Sequence, residues 1–386
     1  MKKILVIHNK YRHLGGEDTA VQNEIEYLQQ FYNVNLLSFD NNLGLKSYIK
    51  QLFYFFTNNN RESVKKLNQA ILDFNPDIVY VHNTWFKASL GIFDYLEEKN
   101  IKTYIKIHNF RYSCTGKILS RDHLNNNKFC SACGYKGKKM KIFNKYFPES
   151  YLKSIFVYIY GKKYIKILKN NFFHLFVLTN FQKNNLIGLG IKKDRIVVVP
   201  NQIKFHNSQI KPTEEKYLLY AGRISKEKGV DEMLESFLSA QMFSIKFKII
   251  GEGPSLEYLK AKYQTNKNIE FLGPLSNTSV INLIKKSKAV VSSTKLFEGQ
   301  PTLLCEASSL GIPSIFPNTG GIKEFFPKDY QLMFEQFNYL DLQEKLLQIQ
   351  NNKYFANIGL ENKKYLKKYL ENNTSIQKFE ENFNGK

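Results

Sequence analysis

The sequence predicts an α/β protein with two successive doubly wound domains, each built on a parallel sheet. Short apolar runs typical of buried strands alternate with amphipathic stretches of helical period along most of the 386 residues. This alternation is typical of βαβ units. It stops in a polar stretch, Pro200–Thr213, and then starts again. A chain of this length can also bury two hydrophobic cores.

The first domain is predicted at residues 1–205. Helices are expected at Thr19–Gln30, Arg61–Leu72, Ser89–Lys99, Tyr151–Lys169 and Asn180–Gly188. Strands are expected at Ile4–Ile7, Val34–Leu37, Asp77–Val81, Thr103–Ile107, Phe172–Val177 and Arg195–Val199. The alternation breaks at 109–147, which holds three of the four cysteines and many lysines. We interpret this segment as an insertion at the carboxyl edge of the sheet.

The second domain is predicted at 206–365 and is followed by a helical tail, 366–386, that could pack back on the first domain. Helical character extends over Tyr339–Phe383, and another helix is expected at Gly229–Ala240. Strands are expected at Tyr217–Tyr220, Lys246–Ile250, Ile269–Leu272, Ala289–Val291 and Ile312–Phe316. Substrates of such domain pairs bind at the carboxyl ends of the strands, so the site is expected in the cleft that the domains face.

Composition narrows the class of partner. The formal net charge of +22 favours polyanions or phosphorylated substrates, although part of it reflects a lysine-rich composition. The N-terminal apolar run is too short for a secretory signal, and no run is long enough to cross a bilayer. Four cysteines are too few and too unevenly spaced for a disulfide framework. We therefore expect a cytoplasmic protein.

The stretch Val290–Gly321 carries the most specific signal. A predicted buried strand ends in a polar loop, and Pro301 falls where the first helical position is expected. The helix places Glu306 on its second turn, with the free N–H groups of its first turn at the tip of the sheet. Such a helix N-terminus suits an anion. Glu298 and Glu306 border the same crevice with seven residues between them, and two carboxylates suit the hydroxyl groups of sugars attached to a phosphate.

Two basic residues complete this chemistry. Arg223 and Lys228 lie in a loop between a strand and a helix, aimed at the same crevice. A planar guanidinium and a mobile ammonium together suit a diphosphate, although a solvated loop of a lysine-rich protein is an equal alternative for this loop alone. The later Gly251–Pro254 (GEGP) lacks the spacing and the following acidic residue of a dinucleotide fingerprint.

Together these residues resemble the donor half of retaining glycosyltransferases of family four, the glycosyl transferases group 1, as found in bacterial surface-polysaccharide synthesis. The resemblance covers the second domain almost end to end. It rests on Arg223 with Lys228, Gly251–Pro254, Phe271–Gly273, Glu298 with Glu306, and Gly320–Gly321. It implies the GT-B fold, in which two Rossmann-like domains face each other across a cleft.

The resemblance also implies roles for single residues. Glu306 would accept hydrogen bonds from the ribose diol of the nucleotide. Glu298 would hold the donor sugar, and Arg223 with Lys228 would stabilise the departing diphosphate. The remaining donor-binding residues would be Gly299, Gln300, Pro301 and Thr302. No metal or other cofactor is required in this scheme, and the product keeps the donor's anomeric configuration through front-face attack.

The first domain agrees with this resemblance. Gly15 and Gly16 match the glycine-rich loop that the family places against the donor phosphates, where the missing side chain allows close approach. His108, directly after a strand, matches a histidine near the transferred sugar. His82, at the end of the preceding strand, is as well explained by a hydrogen bond to the backbone.

Three cysteines and a basic segment remain. Cys114, Cys130 and Cys133, with His123 as a further ligand, could hold a structural zinc ion. Packed thiols or a reducible loop are the alternatives, because a second CxxC is missing. Lys138–Lys169 alternates lysines with aromatic and aliphatic residues, which favours an interfacial segment on an anionic membrane over a core helix with a solvated basic face.

The predicted function is therefore transfer of a sugar from a UDP- or GDP-sugar to a saccharide, expected to be lipid-linked, on the inner face of the plasma membrane. The surface polysaccharide would be a capsule, an O-antigen or an exopolysaccharide. A non-hydrolysing nucleotide-sugar epimerase on the same scaffold is one alternative. A basic nucleic-acid-binding protein is another, although the charge is diffuse and no recognition motif accompanies it.

Overall fold

The structure is a computed structural model of the chain. It describes residues 1–10, 16–41, 54, 60–110, 129–130, 135–136, 151–205, 217–242, 244–351 and 355–383. The backbone packs into two units. The first unit comprises the described residues within Met1–His123, Lys139–Gln202 and Asn373–Lys386, and the second comprises those within Leu124–Lys138 and Ile203–Asn372.

The first unit contains a six-stranded parallel sheet with helices around it. Its strands are β1 (Lys3–Lys10), β2 (Asn33–Asp40), β3 (Ile78–Asn83), β4 (Thr103–Ile107), β7 (His174–Val177) and β8 (Ile196–Val198), in the spatial order β2-β1-β3-β4-β7-β8. Two short antiparallel strands, β5 (Phe129–Cys130) and β6 (Tyr135–Lys136), form a separate hairpin that is assigned to the second unit. The helices are α1 (Gly16–Leu28), α2 (Arg61–Phe74), α3 (Gly91–Glu98), α4 (Tyr151–Lys169) and α5 (Asn180–Gly188).

Both faces of this sheet are buried, which is why its strands are almost continuously apolar. Alternate residues of a strand point to opposite faces. Ile4 and Val6 of β1 accordingly pack in one core cluster, and Leu5 and Ile7 pack in the other. The cluster around Ile4 also contains Phe379 from the end of the chain.

The C-terminal helix α12 (Ser375–Phe383) belongs to the first unit. The Phe379 ring is fully buried and meets the rings of Tyr80, Tyr104 and Phe176 with centroids 5.3 to 5.4 Å apart. Contacts of this kind add to the apolar area that each ring buries. The last helix therefore closes one face of the first sheet.

The second unit repeats the architecture around a single large core. Its strands are β9 (Tyr217–Ala221), β10 (Lys246–Ile250), β11 (Ile269–Gly273), β12 (Ala289–Val291), β13 (Ser314–Asn318) and β14 (Met333–Glu335), in the spatial order β11-β10-β9-β12-β13-β14 and all parallel. Its helices are α6 (Val230–Ser239), α7 (Leu256–Tyr263), α8 (Asn277–Lys286), α9 (Thr302–Leu310), α10 (Tyr339–Asn351) and α11 (Phe355–Glu371).

The predicted doubly wound α/β class is confirmed in both units, with corrections of detail. Helix α1 begins three residues earlier than predicted, and β7 begins two residues later. Strand β14 was missed, because three residues at a sheet edge are too few to show a periodic pattern. Strand β13 begins two residues later than predicted. Pro301 is not the first helical residue but the N-cap, with Cys305 N–H donating to Pro301 O at 3.0 Å.

The predicted zinc ligands fall at or beyond the limits of the described residues. Cys114, Cys133 and His123 lie outside them, and of Cys130 only the backbone, in β5, is described. In the described part of the chain, no cluster of His, Cys, Asp and Glu could hold a metal ion. Within the same part, every helix is too short or too polar to cross a bilayer.

Candidate functional site

The centre of the site in the second unit is an ion pair between Lys228 and Glu298. Lys228 Nζ donates to Glu298 Oε1, and Thr294 Oγ1 donates to the same oxygen at 3.0 Å. The side chains of Lys228 and Glu298 remain 28% and 24% exposed, so both can still reach a ligand. Glu298 Oε2 makes no hydrogen bond to any residue in the described ranges. This oxygen is available to a hydroxyl group.

The position of Lys228 is set by the loop that follows β9. A short 3-10 turn, Lys226–Lys228, ends at Gly229, whose φ of 67° is left-handed. The buried Ser293 Oγ donates to Gly229 O at 2.7 Å and to Lys228 O at 3.2 Å. A Cβ on Gly229 would lie 2.3 Å from Ser293 O. Glycine is therefore required for this close packing.

The backbone of Glu298 is held by the glycine pair that follows β13. Gly321 N–H donates to Glu298 O at 2.8 Å, and Thr319 Oγ1 donates to Leu296 O at 3.3 Å. Gly320 has a φ of 58°, and a Cβ there would lie 2.3 Å from Glu298 O. The loops after β12 and β13 are thus packed backbone against backbone.

Glu306 lies on the second turn of α9. Asn277 Nδ2, from the start of α8, donates to Glu306 Oε1 at 3.0 Å. Burial raises the pKa of Glu306, and the hydrogen bond from Asn277 partly lowers it. Oε2 makes no hydrogen bond to the described residues, so one carboxylate oxygen is positioned and the other is open.

Arg223 follows β9 on the same edge and is exposed. Its guanidinium forms no ion pair with the residues that the structure describes, whereas its carbonyl accepts from Tyr220 OH at 2.9 Å. The neighbouring loop after β10 is pressed against this one, because a Cβ on Gly251 would lie 1.9 Å from Gly222 O. The GEGP sequence thus serves close backbone packing beside Arg223.

In the first unit the predicted glycine loop is only partly described. Gly15 lies outside the described residues, and Gly16 is the exposed first residue of α1. Asp18, in the first turn of α1, contacts the buried side chain of His8, with His8 Nε2 2.9 Å from Asp18 Oδ1. This contact joins the carboxyl end of β1 to the start of α1.

His82 and His108 contact each other at the ends of the adjacent strands β3 and β4. His82 Nδ1 lies 3.0 Å from His108 Nε2, and the two rings are stacked with centroids 5.2 Å apart. Burial, followed by the charges of neighbouring basic groups, places the pKa of both imidazoles well below the ordinary value. Both rings are therefore neutral at pH 7. The expected backbone hydrogen bond of His82 is replaced by this contact.

Beneath this pair lies a buried charged cluster that the sequence reasoning missed. Lys106 Nζ, from the second-to-last residue of β4, lies 2.5 Å from Glu24 Oε2 of α1, and Tyr80 OH donates to Glu24 Oε1 at 2.9 Å. All three side chains are almost completely buried. A lysine inside the apolar strand Thr103–Ile107 and a glutamate on the apolar face of α1 were the available signals.

Residues 201–373 match the family model described as glycosyl transferases group 1. The matched range spans the second unit from Ile203 to Asn372. Arg223, Lys228, Glu298 and Glu306 all lie within the matched range, at the carboxyl edge formed by β9, β12 and the start of α9.

Curated relatives match parts of the chain. The chain is 25% identical over 179 residues to the phosphatidylinositol N-acetylglucosaminyltransferase gpi3 subunit of Schizosaccharomyces pombe. This alignment covers 44% of this chain and 39% of that protein. It is 30% identical over 124 residues to the putative teichuronic acid biosynthesis glycosyltransferase TuaC of Bacillus subtilis, an alignment that covers 32% of this chain and 30% of that protein. It is 26% identical over 201 residues to the amylovoran biosynthesis glycosyltransferase AmsD of Erwinia amylovora, an alignment that covers 48% of this chain and 56% of that protein. The chain thus spans less than two thirds of the length of these relatives.

Two solved structures match the whole chain. Sucrose-phosphate synthase from Thermosynechococcus elongatus superposes with a TM-score of 0.73 at 14% identity, and Anabaena HepE, solved with UDP and glucose, with a TM-score of 0.68 at 12% identity. Both alignments cover 100% of this chain and 100% of the other. At such identities the likeness shows the fold alone, and it confirms the expected GT-B class.

The structure thus brings Lys228 and Glu298 into direct contact and places Arg223 and Glu306 on the same sheet edge. Gly299, Gln300 and Thr302 lie between the two carboxylates, as the sequence requires. Sequence reasoning did not find the residues that position them: Thr294, Ser293 and Asn277. Polar residues of this kind are common in loops, so only their contacts distinguish them.

Proposed function

We propose that the chain is a retaining glycosyltransferase that moves a sugar from a nucleotide-diphosphate sugar to a saccharide acceptor in surface-polysaccharide synthesis. The observation that carries the proposal is the Lys228–Glu298 pair with the half-open Glu306 beside it, inside the region that matches the group 1 family. The polysaccharide pathways in the names of TuaC and AmsD support the class of product. The UDP and glucose with which HepE was solved support the class of donor.

Each donor-side residue then has a role that suits its environment. Glu306 Oε2 accepts from the ribose diol, while Asn277 fixes the other oxygen. Glu298 Oε2 accepts from the donor sugar, and the backbone N–H groups of Gly299, Gln300 and Thr302 add further donors. An ammonium has three donors, so Lys228 can keep Glu298 and bind a phosphate oxygen as well. Arg223 supplies a second cation to the diphosphate.

The transfer breaks the bond between the anomeric carbon of the donor sugar and the diphosphate oxygen. A bond forms between that carbon and an acceptor hydroxyl oxygen on the same face, so the anomeric configuration is retained. The hydroxyl proton passes to the departing diphosphate. The charge that develops on this leaving group is stabilised by Lys228, Arg223 and the N-terminus of α9, which contribute most where the site excludes water. These groups would make a divalent metal unnecessary.

The first test is donor binding, measured as the shift of the thermal unfolding temperature with UDP- and GDP-sugars. A ligand that binds only the folded protein stabilises it in proportion to its affinity. Glu306→Gln should weaken every nucleotide sugar that binds by roughly tenfold or more, because hydrogen bonds to a charged acceptor contribute about 1.5–3 kcal/mol. The matched control is Glu257→Gln, an 83% exposed glutamate on α7. If no nucleotide sugar stabilises the protein, the proposal is wrong.

The second test is turnover. Glu298→Gln should reduce kcat more than it reduces nucleotide affinity, because Glu298 is assigned to the sugar and not to the nucleotide. Activity should persist in excess EDTA, and NMR of the product should show the donor's anomeric configuration. Loss of activity in EDTA, or an inverted product, would contradict the metal-independent or the retaining part of the proposal.

The acceptor and the location are further parts of the proposal. We place acceptor binding in the first domain and propose a lipid-linked acceptor, in line with the lipid named in the gpi3 subunit's activity. Phe156, Ile159, Tyr160, Tyr164 and Leu168 of α4 pack on the first core. The apolar face of α4 is thus packed on the core, as expected for a core helix with a solvated basic face. Only the exposed lysines of α4 are left to contact an anionic surface.

Membrane association is therefore proposed to be electrostatic and peripheral, on the cytoplasmic face. Flotation with liposomes that contain anionic lipid should recover the protein, and neutral liposomes should not. Equal behaviour with both would remove this part of the proposal. The group 1 family match gives no support to the epimerase, and it gives none to the nucleic-acid-binding alternative.

A further inference from the structure

The contact between His82 and His108 determines more than the packing of two rings. His82 is buried between Tyr80, at a ring centroid distance of 4.3 Å, and His108, at 5.2 Å. Its Nδ1 lies 3.0 Å from His108 Nε2. Because both rings are neutral, a single proton lies between these two nitrogens. The tautomer of one ring therefore fixes the tautomer of the other.

The other nitrogen of His82 decides which ring donates. His82 Nε2 is buried and has no hydrogen-bond partner in the described part of the chain. In protein backbones a buried N–H without an acceptor is rarer than an under-satisfied acceptor, and the same preference leaves this nitrogen without a proton. His82 therefore carries its proton on Nδ1 and donates to His108 Nε2.

The tautomer of His82 determines the tautomer of His108. With its Nε2 occupied as an acceptor, a neutral His108 carries its proton on Nδ1. This nitrogen makes no hydrogen bond to the described residues and is not among their buried unpartnered atoms, so it is open to a ligand. His108 lines a small pocket together with Trp85, Asn83 and Asn109. These are side chains that can contact a sugar through an aromatic face and amide groups.

We propose that His82 is a positioning residue that locks His108 as a hydrogen-bond donor, so that His108 presents Nδ1–H to an oxygen of the sugar substrate and is not a general base. The proposal rests on the proposed function for the identity of the ligand. The tautomer itself does not depend on it. The ionisable groups that surround the pair from neighbouring elements are Lys106, Tyr80, His8, Asp18, Glu24 and Glu17.

The direct test is a long-range ¹H–¹⁵N correlation spectrum of the histidine rings in the free protein, with His82→Phe and His108→Phe used for assignment. Both His82 and His108 should show the Nδ1–H form, which is the less common one for free neutral histidine. An Nε2–H form at His108 in the unmodified protein would overturn the proposal. Failure to bind any nucleotide sugar would overturn the proposed function and leave this measurement unaffected.

Two variants of His82 separate positioning from packing. Phenylalanine keeps the ring against Tyr80 but cannot donate, and it should release His108 to the Nε2–H form. Asparagine places an amide N–H close to the position of Nδ1, and it should keep His108 in the Nδ1–H form. His174, which packs on Tyr104 outside the pair, should be unchanged in both variants.

Turnover should follow the tautomer. His82→Phe should lower kcat/KM about tenfold, the effect of one lost hydrogen bond of typical strength, and should match His108→Phe. His82→Asn should stay close to the unmodified protein. Equal losses in His82→Phe and His82→Asn, with both folded by Trp85 fluorescence, would show a packing role and overturn the proposal.

Discussion

The carboxyl edges of the two sheets use charged residues in opposite ways. In the first unit, Glu24 and Lys106 are almost completely buried and satisfy each other inside the protein. In the second unit, Lys228 and Glu298 are also paired, but each is about a quarter exposed. In the first arrangement neither charged side chain reaches solvent, whereas the second keeps one carboxylate oxygen open.

This contrast shows what each kind of pair can do. A fully buried ion pair gains little net stability, because desolvation offsets the attraction, but removing one partner leaves an uncompensated charge. Such a pair holds neighbouring groups in place. A partly exposed pair is less costly to reorganise, so a phosphate or a hydroxyl can join it. The buried pair is therefore suited to hold neighbouring groups in place, and the partly exposed pair is suited to contact a ligand.

The largest expected effect is on the buried pair. Lys106→Met should lower the free energy of unfolding of the first unit by about 3–5 kcal/mol, because the Glu24 carboxylate stays buried without its cation. Trp85 is the only tryptophan and lies in the first unit, so its fluorescence in urea reports this unit's unfolding.

Two controls sharpen this prediction. Adding Glu24→Gln to Lys106→Met should recover more than half of the loss, since a neutral amide can still accept from Tyr80. Lys2→Met removes an exposed pair with Asp77 and should cost less than about 1 kcal/mol. A loss for Lys106→Met as small as that for Lys2→Met would contradict the buried charge pair.

The second effect concerns how the stability of the first unit depends on pH. The pKa values of His82 and His108 are lowered in the folded protein, so below about pH 6.5 the unfolded chain binds more protons than the folded one. Stability is therefore complete above that pH and falls as the pH is lowered, by at most about 2.7 kcal/mol per pH unit for two groups. Burial also lowers the pKa of His174, which acts in the same direction.

The second unit supplies the internal control. All seven histidines precede residue 207, so histidine titration cannot destabilise most of this unit. Hydrogen exchange measured peptide by peptide at pH 7.5, 6.5 and 5.5, corrected for the intrinsic rate, should show protection lost first in the first unit. Equal loss in both units would argue against the neutral histidines.

The smallest of these effects concerns the glycine that supports Glu298. Gly320→Ala should cost about 1–3 kcal/mol in stability, because a Cβ would lie 2.3 Å from Glu298 O at a left-handed φ of 58°. It should also weaken nucleotide-sugar binding by shifting Glu298. Thermal unfolding with and without the donor measures both.

The matched control is Gly273→Ala. Gly273 has a left-handed φ of 70°, but nothing lies within 4 Å of a Cβ placed there. This variant should lose about 1 kcal/mol from backbone strain alone and should keep its donor affinity. If both variants bind donor equally well, the contact between Gly320 and Glu298 does not position the carboxylate.

The order of amino acids alone was enough to predict the α/β class, most strand positions and the placement of Lys228 and Glu298 at one sheet edge. Helix and strand patterns are local, and the carboxyl ends of parallel strands always meet at one edge, so Lys228 and Glu298 could be assigned to one crevice without coordinates. Pro301 and the start of β13 were misplaced by one or two residues, which is the usual uncertainty of element ends.

Which polar groups meet could be read only from the folded chain. Glu24 and Lys106 are 82 positions apart, and His82 and His108 are 26 apart. Their contacts follow from the strand order β1-β3-β4 and from the placement of α1 against the sheet. A charge inside an apolar strand warns of a buried partner, but periodicity carries no information about which distant residue that partner is. Long-range packing alone makes that choice.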